Sequence, residues 1–409
     1  MKSLFSKQKN KREKIYLDHA AATPLDPEVS AAMQSDADDS WYNPNALYQG
    51  AISVRNRIET SRINVAHLLK ARSSEIYFTD GATEANNIAL LGVISAWKKQ
   101  NPEQKAHVIT TLIEHPSVLE TCRFLEERGT EATYLSVDKN GHIDIKELKK
   151  NLKENTVLVS IGYANGEIGS IQDIRGIAKT LRHARKQKET SYPYFHTDAV
   201  QAVNYLPMGV TQLGIDLMTI NAAKIYGPKK SGVLYIKSGT EIDPIMFGGS
   251  QEFGLRPGTE NPSLIFGMEK SLERALGMQE SESLRLAELR TQFIAQIESE
   301  ISNVHINAHT SEVLPNIVNI SIPDISSEEI VLRLDAVGIM ASIKSACKSG
   351  EDGDSHVIVA LRGENQENTG SIRFSMGRET KKSHIDRTVT ELAKIVSDMR
   401  ETSKKYYQD

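Results

Sequence analysis

Along the first two thirds of the chain, short apolar runs alternate with longer amphipathic stretches. Runs at residues 75–78, 107–112, 132–137, 156–163, 192–195, 217–220 and 232–236 read as strands. Between many of them, residues 84–98, 117–127, 145–152 and 173–185 read as helices. Upstream, Ile58, Ile63, Val65, Ala66, Leu68 and Leu69 recur at roughly helical spacing within residues 55–70. Asp26-Pro27-Glu28 predicts an N-cap, a first-turn proline and a dipole-favoured acid, opening a helix to about Met33. Asp138-Lys139-Asn140-Gly141 predicts a turn. Strand, helix and strand in repetition imply an α/β fold, a mostly parallel seven-stranded sheet covered on both faces. From about Leu264 the texture changes to a long helical stretch past Glu298, followed by three strand–helix segments. The expected division is a basic leader at 1–14, a large α/β domain at 15–263 and a smaller α+β domain at 264–409. Polar runs at 349–355 and 363–370 flank a short helix and read as a mobile loop.

Composition narrows the class. The net charge of −4 argues against a general nucleic-acid binder, whose footprint would be basic. No run is long enough to span a membrane, and the lysine-rich leader lacks a signal peptide's apolar stretch. Two cysteines provide no disulfide framework and imply a reducing, cytoplasmic setting. No group of histidines and cysteines has the spacing of a standing metal site.

Candidate chemistry centres on Lys224 and Asp198, each just after a strand-like run. A lysine amine that can hold an aldehyde as a Schiff base, with a carboxylate that keeps a pyridine nitrogen protonated, suits pyridoxal phosphate. Gly81-Ala82-Thr83 joins a strand to a helix, where backbone N–H groups and the Thr83 hydroxyl form an anion site. A simple N-cap is the plain alternative there. His115 follows a strand end, where α/β folds place ligands. Cys347 is flanked by Lys344 and Lys348 and a polar loop, and nearby positive charge favours the thiolate. Cys122, beside Leu119 and Phe124, reads as packing.

These residues lie in motifs that occur in one order. They are Tyr16 to Pro24, Phe78 to Asn87, Glu114-His115, Asn165 to Gly169, His196 to Gln201, Lys224 to Pro228, Gly254 to Asn261, Ser345-Ala346-Cys347 and Ser371 to Arg378. In that order, from about Ile15 to Ile385, the chain resembles the cysteine desulfurases, fold-type I pyridoxal-phosphate enzymes of the class V aminotransferase group. The resemblance implies that Ala82, Thr83 and Asn221 lie at the cofactor phosphate and that His115 stacks on the ring and serves in proton transfer. Asp198 would pair with the pyridine nitrogen, with Gln201 and Asn165 bonding around the ring and substrate. Thr259 would reach the phosphate of a neighbouring subunit in a homodimer. Arg373 would clamp the carboxylate of L-cysteine, a bidentate task that lysine cannot perform. Lys224 and Cys347 would be catalytic, Cys347 taking sulfur as a persulfide and leaving alanine.

The long span from Cys347 to Arg373 resembles the iron–sulfur-type branch. Its acceptors are iron–sulfur scaffold proteins or sulfur carriers for tRNA thiolation, and its cysteine can help hold a transient 2Fe–2S cluster. The chain departs from the family at Asn221 and Ala223, where serine and histidine are usual, and at Asp80, Phe253 and Lys344. Weaker cofactor binding is expected from Ala223. Two alternatives stay open: another pyridoxal-phosphate lyase or aminotransferase of the same class, and a non-catalytic scaffold.

Overall fold

The computed structural model describes residues 13–35, 41–308, 310–323, 325–343, 355–362 and 370–406. The chain enters through β1 (Ile15–Tyr16), α1 (Pro27–Ser35) and α2 (Gln49–Leu69). Then come β2 (Ile76–Thr79), α3 (Ala82–Gln100), β3 (His107–Thr111), α4 (Pro116–Glu127), β4 (Glu131–Leu135), α5 (Ile145–Asn151) and β5 (Thr156–Ser160). Next are α6 (Ile174–Lys188), β6 (Tyr194–Asp198), α7 (Val210–Leu213), β7 (Leu217–Asn221) and β8 (Gly232–Ile236). The 39-residue α8 (Pro262–Glu300) follows. Last come β9 (His305–Ile306), β10 (Ile317–Ser321), α9 (Ser327–Ala336), β11 (Ile339–Met340), α10 (His356–Arg362), β12 (Ser371–Ser375) and α11 (Lys382–Tyr406). No helix among the described residues is long and apolar enough to cross a membrane.

Strands β2 to β8 form a mixed seven-stranded sheet in the order β2-β8-β7-β6-β5-β3-β4. Only β8 runs antiparallel to its neighbours, so the other six strands point the same way. Their side chains alternate between two cores, as the pleat requires. Ile109, Phe195 and Met218 pack with α2, α6 and the first half of α8, while Val108, Tyr194 and Leu217 pack with α3 and α4. Burial on both faces explains why β3, β5 and β8 are buried along their whole length.

A separate core unites β1, β10, β12 and α11 with the second half of α8, and in it Phe293 meets Phe374 edge-on at 5.3 Å between centroids. Strand β10 pairs antiparallel with β9 and β12, and β1 pairs with β11 in parallel. Asp26 caps α1, accepting from the Glu28 N–H at 2.8 Å, and the turn at Asp138–Gly141 closes on its own aspartate. A short helix, α10, lies where the sequence places one; most of the polar runs on either side fall outside the described residues.

Candidate active site

Six parallel strand ends on one edge are a natural place for a ligand. There the loops after β2, β3, β5, β6 and β7 enclose a cavity of about 250 Å³. Ala82, Thr83, His115, Asn165, Asp198, Gln201, Asn221, Lys224 and Arg373 all line it. Thr259 does not; it lies exposed in the loop before α8. Cys347, with Lys344, falls outside the described residues.

Each wall has a local cause. Gly81 is the N-cap of α3 with φ +128°, a conformation in which a side chain is strained. That turn sets Ala82 and Thr83 in the helix's first turn, with its unpaired N–H groups. Asn221 ends β7, and its side-chain oxygen accepts from the Ala223 N–H at 3.1 Å, capping the single turn that carries Lys224. The Lys224 ammonium donates to the Ala21 carbonyl. Thr23 grips the same turn, its hydroxyl donating to the Ala223 carbonyl and accepting from the Tyr226 N–H. Ala223 therefore acts through its backbone alone.

Across the cavity, Asp198 ends β6, accepting from the Val200 N–H at 3.0 Å and from Asn86 Nδ2 at 2.8 Å. His115 caps α4: the Ser117 N–H donates to its Nδ1 at 3.1 Å, which places the proton of the neutral ring on Nε2. Asn165 braces its loop, donating to the Ile113 carbonyl and accepting from Glu167 and Ile168. Gln201 Nε2 donates to the Ala20 carbonyl at 3.0 Å.

Arg373 comes from β12 in the second core and is 3% exposed. Its Nη2 meets Asp18 at 2.6 Å and its Nη1 donates to the Gly166 carbonyl at 3.0 Å. Its Nε is buried with no hydrogen-bond partner among the described residues. A buried guanidinium with spare donor capacity at a cavity wall suits a carboxylate ligand.

Sequence reasoning assigned no role to Glu114, Asn86, Ser117 or His356. His356 on α10 bonds the Glu114 carbonyl at 3.0 Å, and Val357 beside it also lines the cavity. Of the other departures, Asp80 pairs with Arg256 at 2.8 Å and Phe253 is exposed against Tyr77; neither lines the cavity. Cys122 is buried in α4, where desolvation, with Glu114 and Glu126 nearby, pushes its thiol up to about 12.

Glu114 is 5% exposed, accepting from the Thr111 hydroxyl at 2.7 Å and the Gly162 N–H at 3.0 Å. Burial, with the Asp198 charge adding to it, pushes its carboxyl up to about 7. A raised folded-state value favours the fold while the group is protonated. Its contribution is complete below the ordinary value of 4.5 and is lost as pH rises through about 7. Glu114→Gln should therefore gain stability over the unaltered protein as pH climbs through that window, by up to a few kcal/mol. Urea unfolding at several pH values checks this; parallel stability curves for the two proteins would refute it.

The strand-end site and sheet order are those of the fold-type I class. The chain belongs to the aminotransferase class-V family, whose model matches residues 15–388. Its place within that family is among the cysteine desulfurases. It is 43% identical over 393 residues to the cysteine desulfurase IscS of Dictyoglomus turgidum, covering 96% of this chain and 97% of that one. The solved structure of a NifS-like protein superposes with a TM-score of 0.85 at 31% identity, over 94% of this chain and 100% of that chain. A structure described as SspA in complex with cysteine aligns with a TM-score of 0.74 at 30% identity, over 89% of this chain and 99% of the other.

Proposed function

We propose that this cysteine desulfurase uses pyridoxal phosphate to convert L-cysteine to L-alanine, with Cys347 receiving the sulfur. The observation that carries the reading is the meeting of Lys224, Asp198, His115 and Arg373 in one cavity, although β12 supplies Arg373 from a separate core. The donor set fits the cofactor. Thr83, the first-turn N–H groups of α3 and Asn221 would hold its phosphate, Asp198 its pyridine nitrogen and Lys224 its aldehyde, with His115 against the ring. When bound, the cofactor supplies a sink for the electrons released as the α-proton leaves the amino acid.

The remaining work falls to the chain. Arg373 grips the substrate carboxylate, with Asp18 and the Gly166 carbonyl fixing its plane. Lys224 takes the α-proton and returns it, assisted by His115. The Cys347 thiolate bonds to the substrate sulfur as the carbon–sulfur bond breaks. The electron pair stays with carbon, which is protonated to give alanine, and Cys347 is left as a persulfide. Passage of that sulfur to an iron–sulfur scaffold or a sulfur carrier rests on the family resemblance.

We also read the active form as a homodimer in which Thr259 completes the phosphate site of the neighbour. Its exposure supports this, as do Leu47 and Phe247, which are 88% and 86% exposed.

The test is to load the purified protein with pyridoxal phosphate, record its absorbance, then add L-cysteine and quantify alanine. A bound-cofactor band that changes with cysteine, together with alanine formation that is lost in Cys347→Ser, is expected. A protein that never takes up the cofactor overturns the reading in favour of a scaffold. Full-rate sulfur release by Cys347→Ser favours a lyase instead.

A further inference from the structure

Beneath the cavity, Asn86 on α3 is fully buried, at 0% exposure, and bridges Asp198 at the end of β6 and Ser117 in the first turn of α4. Its Nδ2 donates to Asp198 Oδ2 at 2.8 Å and to Ser117 Oγ at 2.9 Å. Ser117 Oγ lies in turn 2.8 Å from His115 Nδ1. The direction of each bond follows from chemistry. A carboxylate only accepts, so the amide must turn its nitrogen toward Asp198. The same nitrogen then donates to Ser117 Oγ, which leaves the hydroxyl hydrogen for Nδ1 of His115. The Ser117 N–H already donates to that atom, so both contacts demand the same ring tautomer.

The cost of this orientation is visible. Asn86 Oδ1 is buried with no hydrogen-bond partner among the described residues. A buried acceptor left unsatisfied is destabilising, and a residue chosen only for packing would not need to carry one.

We propose that Asn86 is a positioning residue. It fixes the rotamer of Asp198, whose other described donor is the Val200 N–H, and through Ser117 it braces His115. The inference rests on the function proposed above, because it gives Asp198 and His115 a ring to address. Asn86 touches neither substrate nor reacting atoms. Its effect must therefore pass through Asp198 and Ser117.

A double-mutant cycle on cofactor affinity tests this without using turnover. Titration of the full chain with pyridoxal phosphate should show Asn86→Ala weakening binding by roughly tenfold or more, as for one lost bond to a charged group. In an Asp198→Ala background the same change should shift affinity several-fold less, because only the brace to His115 through Ser117 then remains. In the loaded enzyme, Asn86→Ala should lower kcat while KM for L-cysteine, set by Arg373, stays within about twofold. Asn86→Asp, of the same size but with a second carboxylate facing Asp198, should weaken binding at least as much, and it serves if the alanine variant fails to fold. Equal losses in both Asp198 backgrounds would overturn the proposal, as would unchanged affinity in both Asn86 variants. Absence of alanine formation by the unaltered protein would instead count against the function itself.

Discussion

Lys224→Ala is expected to lower the rate of alanine formation by about 10⁴-fold, the upper end of what a positioned acid–base group contributes. The variant loses the amine that would hold the cofactor aldehyde and the base that would move the α-proton. Little else in the fold should change. The turn at Ala222–Lys224 is built from backbone and neighbours: Ile225 N–H to the Ala222 carbonyl at 3.0 Å, and Asn204 to the Lys224 carbonyl at 2.8 Å. All of these survive the substitution, so thermal unfolding should be close to that of the unaltered protein. Single-turnover alanine assays at saturating pyridoxal phosphate measure the loss. A small primary amine added to the assay should restore part of the rate. A variant that turns over at the normal rate would remove Lys224 from the mechanism.

Arg373→Lys should raise KM for L-cysteine by roughly 10–100-fold, the equivalent of about 1.5–3 kcal/mol for one lost charge-assisted bond. Lysine keeps the charge but not the planar fork. It cannot hold Asp18 and the Gly166 carbonyl together while presenting a third donor to the cavity. The discriminating measurement compares L-cysteine with cysteamine, which lacks the carboxylate. The unaltered protein should prefer L-cysteine, and the variant should lose most of that preference. An undiminished preference would assign the carboxylate to another residue.

Much of the large sheet was legible because strands buried on both faces read as continuous apolar runs. Legibility ended where polar residues stay in the core. The apolar run expected at 192–195 stops at Phe195, yet β6 continues through His196 and Thr197 to Asp198. Those side chains are satisfied sideways: His196 bonds Ser160 at 2.8 Å and Thr219 at 3.1 Å, and Thr197 donates to the Ile161 carbonyl at 2.7 Å. Burial pulls the His196 ring down to about 4, so it serves as a neutral cross-strand link. Periodicity cannot see partners supplied by other strands. Helix α2 likewise begins at Gln49, six residues before the apolar spacing reveals it.

The candidate site divides the same way. Lys224, Asp198, His115 and Arg373 carry side chains whose chemistry suggests a task, and ordered motifs grouped them. Asn86 lies inside one of those motifs and Ser117 two residues past another. Their use is a matter of distance across the fold, and only three-dimensional contact reveals it. Glu114 acquires its raised value from burial beside Gly162, which composition cannot express.

Helix α8 gives the site its dimensions. Ile265 to Ala275 are buried in the core that underlies Lys224, and Leu286 to Ile297 in the core that carries Arg373. Between them Gln279 donates to the carbonyls of Val203 and Leu206, at 2.8 and 2.7 Å. The rod acts as a ruler marked in residues. One more residue in its middle would advance the far core by about 1.5 Å and turn it by about 100°. Displacements near an ångström can cost an enzyme on the order of 10²-fold in rate. Length along this helix is under tighter constraint than its many solvent-facing side chains, and family members should differ there by substitution far more readily than by insertion.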